Sequence, residues 1–122
     1  MNEIIKSYKD LVVWQKSMDL VVEIYKITEL FPSEERFGLI SQMRRCSISI
    51  PSNIAEGRGR GTRRDFIQFL RISLGSSNEL STQVEIAKRI ANTRNLEFAQ
   101  IECLLEEVIK MLKVIIFKLS NE

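Results

Sequence analysis

The sequence contains no histidine, and this absence excludes several kinds of chemistry at once. Histidine is the commonest general acid or base near neutral pH and a member of most nucleophilic triads. Bundles that hold two metal ions use Glu-x-x-His pairs, which this chain cannot form. A solvated helix face explains the carboxylates of Glu102, Glu106 and Glu107. We therefore expect no catalytic site, no metal and no cofactor.

Cysteine is also scarce, since Cys46 and Cys103 are the only two and stand far apart. They lack zinc-ligand spacing and lie in apolar, helix-like patterns, so both are expected to be small buried hydrophobic residues. Residues 1–6 lack the apolar core of a secretion signal, which argues against a disulfide. No apolar run reaches the roughly 20 residues of a membrane span. The sequence predicts a cytoplasmic protein with no membrane association.

Two prolines and five glycines leave long stretches that can form continuous helix. Three breaks divide the chain: Phe-Pro-Ser at residues 31–33, Gly-Arg-Gly-Arg-Gly at 57–61 and Asn-Thr-Arg-Asn at 92–95. Between the breaks, apolar residues such as Phe37 recur every three or four positions, the period of an amphipathic helix. The sequence predicts one all-α domain over residues 1–122, with helices at about 11–30, 34–57, 63–91 and 96–119.

Short connections make consecutive helices antiparallel neighbours, so the expected fold is an antiparallel up-down four-helix bundle. Ser33, Thr62 and Asn95 are the expected helix N-caps. Pro51 falls inside the second helix, where it removes one backbone hydrogen bond. Because the apolar pattern continues beyond it, we expect a kink near Pro51. A break into two short helices is the alternative.

Antiparallel pairing of the second and third helices places Arg45 opposite Leu74, with Glu79 about one turn further along. We therefore expect Arg44 or Arg45 to form a partly buried ion pair with Glu79, and two independently solvated charges are the alternative. Gly75 lies inside the third helix, where it costs roughly 1 kcal/mol relative to alanine. Close approach of the second and third helices would explain why a glycine stands at this position.

Two polar side chains near the glycine-rich turn, Asn53 and Glu56, lie three residues apart on one helix face. The same pairing places Glu56 opposite Arg63. We expect Asn53 and Glu56 to have structural roles that hold the helical hairpin closed.

The fourth helix is apolar over too much of its circumference for a bundle that buries one side. Its Val-Ile-Ile-Phe run at residues 114–117 covers all sides of one turn. A helix that is apolar all round must be buried on more than one side. This predicts a homo-oligomer, in which a second copy of the chain covers the excess; one or two scattered surface residues are the alternative.

Positive charge is concentrated in the middle of the chain. Residues 36–71 contain eight arginines, no lysine and two acids, a net charge of +6 in a chain whose total is +2. Four of these arginines fall within seven residues around the glycine-rich turn: Arg58, Arg60, Arg63 and Arg64. This pattern predicts a phosphate-contacting patch for RNA or DNA, and a soluble loop is the alternative.

Several short motifs occur in a fixed order along the chain: Trp-Gln-Lys at 14–16, Ser-Gln-Met-Arg-Arg at 41–45, Ser-Ile-Pro-Ser-Asn-Ile-Ala-Glu-Gly at 49–57, Phe-Leu at 69–70, Gly-Ser at 75–76 and Glu-Leu at 79–80. With these motifs the sequence resembles the four-helix-bundle proteins encoded in intervening sequences of bacterial 23S ribosomal RNA genes, which are ribosomal-protein-like. The accessory variability determinant of diversity-generating retroelements is a related protein.

The resemblance implies a bundle that assembles as a ring, typically a homopentamer. In the retroelement branch this ring is basic and binds nucleic acid and a reverse transcriptase. Cys46 and Ser73 stand where the family favours alanine, and the net charge of +2 is lower than in that branch. We expect a non-enzymatic oligomer associated with RNA or a ribonucleoprotein. The alternative is an oligomeric scaffold that binds a protein partner without touching nucleic acid.

Overall fold

The structure, a computed structural model, describes residues 7–122 apart from the side chains of residues 36 and 37. In this part of the chain there are four α-helices and no strand, which confirms the predicted all-α four-helix bundle. They are α1 (Val12–Thr28), α2 (Ser41–Gly59), α3 (Arg63–Arg89) and α4 (Ala99–Ser120). None of the described helices is long and apolar enough to cross a membrane. The predictions made for residues 1–6 and for the side chain of Phe37 lie outside the described residues.

The four helices form a closed square in which α1 and α3 each pack against both α2 and α4. Hydrogen bonds join Cys46 to Ser76 and Ile50 to Ser73, so residue numbers rise along α2 as they fall along α3. Ion pairs run in the same opposed order between α3 and α4: Lys88–Glu102 at one end and Arg63–Glu122 at the other. These contacts place neighbouring helices in opposite directions.

The core lies on the axis of the square and is built by the apolar positions of all four helices. Burial of each such side chain contributes about 1.5–3 kcal/mol, which is the main term that holds the bundle together. The largest fully buried apolar side chains are Leu20, Ile24, Met43, Ile50, Ile54, Leu70, Leu80 and Leu112.

The predicted start of the second helix was wrong. Ser33 does not cap an α-helix but opens a single 3-10 turn, Ser33–Glu35, which a π-helical turn, Arg36–Ile40, follows. Within that turn Gly38 has non-helical angles of φ −108° and ψ −107°, and α2 begins only at Ser41. Glycine tolerates such angles, so the chain turns here before regular helix begins.

Of the other two expected caps, one was right. The Thr62 hydroxyl accepts the Asp65 N–H at 3.2 Å at the start of α3. Asn95 caps nothing, because α4 begins at Ala99 and Glu97 accepts that residue's N–H at 2.9 Å. The buried Thr93 hydroxyl donates to the Ala87 carbonyl at 2.6 Å and holds residues 90–98 in an ordered turn, which delays α4.

Helix α2 passes through Pro51 without ending, so the alternative of two short helices was wrong. Side chains supply hydrogen bonds to the carbonyls beside the proline. The Asn53 amide donates to the Ser49 carbonyl at 2.8 Å, and the Ser73 hydroxyl of α3 donates to the Ile50 carbonyl at 2.9 Å. The carbonyl that Pro51 leaves without its helical partner is that of Ser47, so these bonds add contacts at neighbouring carbonyls and do not replace the missing one. The kink at Pro51 stays a prediction.

Helices α2 and α3 are offset by about one helical turn from the predicted register. Cys46 faces Ser76, where the sequence argument placed Ser73. The reason is the turn between the helices: α2 continues to Gly59, and the connection is only residues 60–62, with Gly61 at a φ of 89°. Because the turn is shorter and later than expected, each residue of α2 meets a later residue of α3.

Of the two helical glycines Gly57 and Gly75, Gly57 is the one that lies against the opposite helix, although the sequence suggested Gly75. A Cβ added at Gly57 would lie 2.6 Å from the Phe69 Cβ, whereas one added at Gly75 would meet nothing within 4 Å. Two small side chains extend this seam, because the Ser49 and Ser76 hydroxyls share a hydrogen bond of 2.8 Å. Gly57 therefore sets the distance between these two helices.

We expect Gly57→Ala to destabilise the protein by about 1–3 kcal/mol, because the added methyl group overpacks the contact with Phe69. Gly75→Ala is the matched control, also a helical glycine, and is expected to stabilise by about 0.5–1 kcal/mol because alanine costs less backbone entropy. Urea unfolding of both variants measures the difference. Equal stability of the two would contradict the assignment of Gly57.

The two cysteines differ in environment, and we expect them to differ in reactivity. Burial is the largest cause that raises the pKa of the Cys46 thiol to about 12, followed by the nearby Glu79 carboxylate. Its Sγ donates a hydrogen bond to the Ser76 carbonyl at 3.0 Å. Cys103 is exposed on α4. The prediction that both are buried is right for Cys46 and wrong for Cys103.

At pH 8 we expect one fast and one slow thiol in the native protein. The raised pKa keeps the Cys46 thiol protonated at that pH, and thiolate is the reactive form. In Cys103→Ser, alkylation should be at least roughly 100-fold slower in buffer than in urea. Fast alkylation of native Cys103→Ser would contradict the environment assigned to Cys46.

Because the pKa of Cys46 in the folded protein exceeds the unfolded value of 9.0, the stability of the protein should fall as pH rises from 9.0 towards 12.

Candidate nucleic-acid interface

The four arginines predicted to contact phosphate lie at one end of the bundle, around the turn that joins α2 to α3. Arg60, Arg63 and Arg64 are exposed and Arg58 is half-buried. The order of the helices dictates this position, because a hairpin turn between antiparallel helices lies at the end of the square. The structure does not make them one uniform patch, since their side chains have different partners.

Arg60 is anchored on α2. Its Nε and Nη2 atoms both lie 2.9 Å from the Glu56 Oε2 atom, and its guanidinium lies 4.9 Å from the centre of the Phe69 ring. The pairing rule placed Glu56 opposite Arg63, but its described contact is with Arg60. Arg60 comes one helical turn after Glu56, so it reaches the carboxylate first. Glu56 still holds this end of the hairpin, as a partner of its own helix.

Arg63 instead faces the end of α4, where its Nη1 atom lies 3.3 Å from the Glu122 Oε1 atom. Together with Arg64 and Arg71 it lines an open cleft of about 550 Å³ between the start of α3 and the end of α4. The other residues that line this cleft are Ile67, Gln68, Leu119 and Ser120. We call it the α3–α4 cleft.

Arg71 was not among the predicted site residues. Its spacing carried a usable signal, because Arg64 and Arg71 are seven residues apart and Arg63 and Arg71 are eight apart. Two helical turns separate such positions, which places them on one face. The sequence could not show that this face meets the end of α4.

Arg44 and Arg45 turn in different directions, and neither forms the predicted ion pair with Glu79 among the described residues. The Arg44 Nε donates to the Thr28 hydroxyl at 2.8 Å, and its guanidinium lies 4.4 Å from the Tyr25 ring centre. Arg44 therefore joins α2 to α1, whereas the prediction joined it to α3.

A smaller groove between α2 and α3 contains Arg45 and Glu79, as the pairing argument expected, but not as an ion pair. It measures about 380 Å³, and the residues that line it are Gln42, Arg45, Cys46, Ser49, Ser76 and Glu79. The shifted register brings Glu79 beside the Cys46 thiol, so the carboxylate contacts that group. Beside the same seam, the Asn53 amide donates to the carbonyl and the hydroxyl of Ser49 within α2.

Exposed apolar side chains occur on all four helices, including Ile72 and Ile86 of α3, and two groups of them are relevant to self-association. In the run at residues 114–117, Val114 and Phe117 are 50% and 69% exposed. Val114 also lines an apolar groove of about 530 Å³ between α1 and α4, together with Leu11, Val12, Val13, Lys110, Met111 and Ile115. A second exposed group lies on α1 and α2: Met18, Val22, Tyr25 and Ile48.

Among residues 7–122, no three His, Cys, Asp or Glu side chains lie close enough together to hold a metal ion. The carboxylates predicted to be solvated are partly used in ion pairs: Glu102 contacts Lys88 at 2.6 Å, and Glu107 contacts Lys16 at 3.6 Å. Both pairs join helices at the surface.

Comparison with known proteins identifies the family. The sequence matches the family model described as "23S rRNA-intervening sequence protein" over residues 9–114. A crystal structure of a protein of unknown function from the S23 ribosomal protein family of Bacteroides thetaiotaomicron is 31% identical, with a TM-score of 0.72. The match covers 86% of this chain and 95% of that chain. No curated protein matches. The chain belongs to the 23S rRNA-intervening sequence protein family.

Proposed function

We propose that the protein is a non-enzymatic, oligomeric and cytoplasmic bundle that associates with nucleic acid, namely RNA or a ribonucleoprotein. The contact surface is the α2–α3 end of the bundle, with Arg58, Arg60, Arg63 and Arg64. The observation that carries the proposal is the clustering of exposed guanidinium groups around a three-residue turn. The family name, which refers to intervening sequences of 23S rRNA, supports RNA as the ligand.

The chemistry of this end favours contacts with the phosphate backbone. Guanidinium groups bind phosphate oxygens in a bidentate manner and stay charged at all physiological pH values. Arg63 and Arg64 occupy the first turn of α3, where the positive end of the helix dipole disfavours cations. The Phe69 ring has the Arg60 guanidinium 4.9 Å from its centre, so that face of the ring is not available for base stacking. Binding of this kind depends more on the charge of the nucleic acid than on its base sequence.

We expect the double variant Arg63→Gln, Arg64→Gln to bind single-stranded RNA more weakly than the wild type and with less dependence on salt. Each lost phosphate contact should lower the slope of log K against log salt by about 0.7, so the pair should lower it by about 1.4. Fluorescence anisotropy of a labelled RNA across a salt series measures both quantities.

The matched control is Arg89→Gln with Lys88→Gln, which removes the same charge from the opposite end of α3. It should change RNA binding much less. Arg58→Ala with Arg60→Ala tests the other half of the predicted patch and should also flatten the salt slope. If RNA binding were insensitive to both salt and the turn variants, the proposal would be wrong.

The oligomer we propose is a homo-oligomer, for which the family resemblance suggests a pentameric ring. Two separate apolar groups support it: the face of Val114 and Phe117 on α4, and the face of Met18, Val22 and Tyr25 on α1. A closed ring with more than two subunits needs two different patches that fit each other, whereas a two-fold dimer can use one. Exposed apolar patches of this kind commonly mark protein contacts.

We expect Phe117→Ser to weaken or abolish self-association, because the Phe117 side chain is 69% exposed in the single chain and loses little when truncated there. Leu30→Ser is the matched control, since Leu30 is 66% exposed and lies in the α1–α2 connection. Sedimentation velocity reports the assembly state. A wild-type monomer, or equal assembly of both variants, would contradict this part of the proposal.

The same apolar surface favours a second candidate function, an oligomeric scaffold that binds a protein partner without nucleic-acid contact. The nucleic-acid function needs the arginine side chains around the turn, whereas the scaffold function needs the exposed apolar side chains. Salt-independent behaviour of the turn variants, together with a partner whose binding depends on Phe117 or Val114, would favour the scaffold.

A further inference from the structure

The α3–α4 cleft is a stronger candidate for anion binding than the turn beside it. Arg63, Arg64 and Arg71 all line it, and Glu122 is the one carboxylate among its described lining residues. By contrast, Arg60 at the turn already has a carboxylate partner and an aromatic ring beneath it. The cleft therefore has a net positive lining even with Glu122 in place.

The position of Glu122 shows which chemistry the cleft accepts. Its Oε1 lies 3.3 Å from the Arg63 Nη1, and both side chains are more than half exposed, 52% for Arg63 and 61% for Glu122. An exposed ion pair of this kind is weak and screened by salt. A carboxylate and a phosphodiester both present anionic oxygens to a guanidinium group, so one can replace the other.

We propose that the α3–α4 cleft binds the phosphodiester backbone of a nucleic-acid strand, and that the Glu122 carboxylate competes with a phosphate for Arg63. This inference rests on the proposed nucleic-acid association. It goes further by assigning binding to Arg71 and competition to Glu122. The competing carboxylate lies outside residues 9–114, the part of the chain that matches the family.

The dimensions of the cleft favour a strand over a single phosphate. Arg64 and Arg71 are separated along α3 by about 10 Å, at 1.5 Å per residue. The cleft is open and measures about 550 Å³, within the range of sites for extended ligands. Gln68 lies between the two arginines and Ser120 faces them from α4, so neutral donors are available for phosphate or sugar oxygens.

The test compares two single variants of the full chain, Glu122→Gln and Arg71→Gln, in binding to a labelled single-stranded RNA of 20 nucleotides at low salt. We expect Glu122→Gln to tighten binding about two- to fivefold, the range of an exposed ion pair, because it removes the competing anion. Arg71→Gln should weaken binding about three- to tenfold. In an Arg63→Gln background, Glu122→Gln should not increase the affinity for RNA, since the guanidinium group for which Glu122 and phosphate compete is absent.

Two controls separate the cleft from net charge alone. Glu34→Gln and Arg89→Gln make the same changes in charge at the opposite end of the bundle, where Glu34 and Arg89 are exposed. If each cleft variant behaved like its control while the wild type still bound RNA, the cleft assignment would fall and the proposed function would stand. If the wild type bound no RNA at low salt, the proposed function itself would fail.

Two further ligands identify the chemical class. Tripolyphosphate and poly-L-glutamate are titrated against the same variants in place of RNA. RNA binding much tighter than either one, with the pattern of variants described above, supports a strand site. Equal affinity for tripolyphosphate would show a site for free phosphate, and equal affinity for poly-L-glutamate would show a site for an acidic protein; each would overturn the proposal.

Discussion

The close contact between α2 and α3 at Gly57 is the constraint on which the rest of the arrangement depends. Only a residue without a side chain allows the two backbones to approach this closely beside Phe69. This approach, together with the three-residue turn, sets the register in which Cys46 meets Ser76 and Ile50 meets Ser73. The bulk of a methyl group at one position would therefore disturb a whole helix pair.

The same seam carries hydroxyl and amide side chains close to Pro51 in the middle of α2. Small side chains at residues 49, 73 and 76 leave room between the helices and carry hydroxyl groups. These groups, with Asn53, bond to carbonyls near Pro51 and to each other. Buried hydroxyls are costly without partners, and each of these has one. The Ser, Asn and Pro residues of this run in α2 therefore contribute to helix packing as well as forming a sequence motif.

Register also decides how the basic end of the bundle is organised. Because α2 continues to Gly59, Arg60 falls one turn after Glu56 and is held by it, whereas Arg63 is left to face α4. The arginines that looked like one patch in the sequence therefore divide between the turn and the α3–α4 cleft. The apolar groups on α4 and α1 lie on other faces of the bundle. A basic end and apolar sides are compatible with the nucleic-acid-associated oligomer we propose.

The sequence by itself determined the number and type of the helices, the Thr62 cap and the existence of three breaks between the helices. Helical periodicity, glycine-rich turns and capping chemistry are local, so a single chain segment contains the information. Only the tertiary structure decided which polar side chains meet. Arg44 bonds Thr28 and not Glu79, and Arg63 contacts Glu122 in a cleft that Arg71 also lines. A shift of one helical turn changes every such pair while leaving the apolar pattern intact, and that shift came from the length of a three-residue turn and the bulk missing at Gly57.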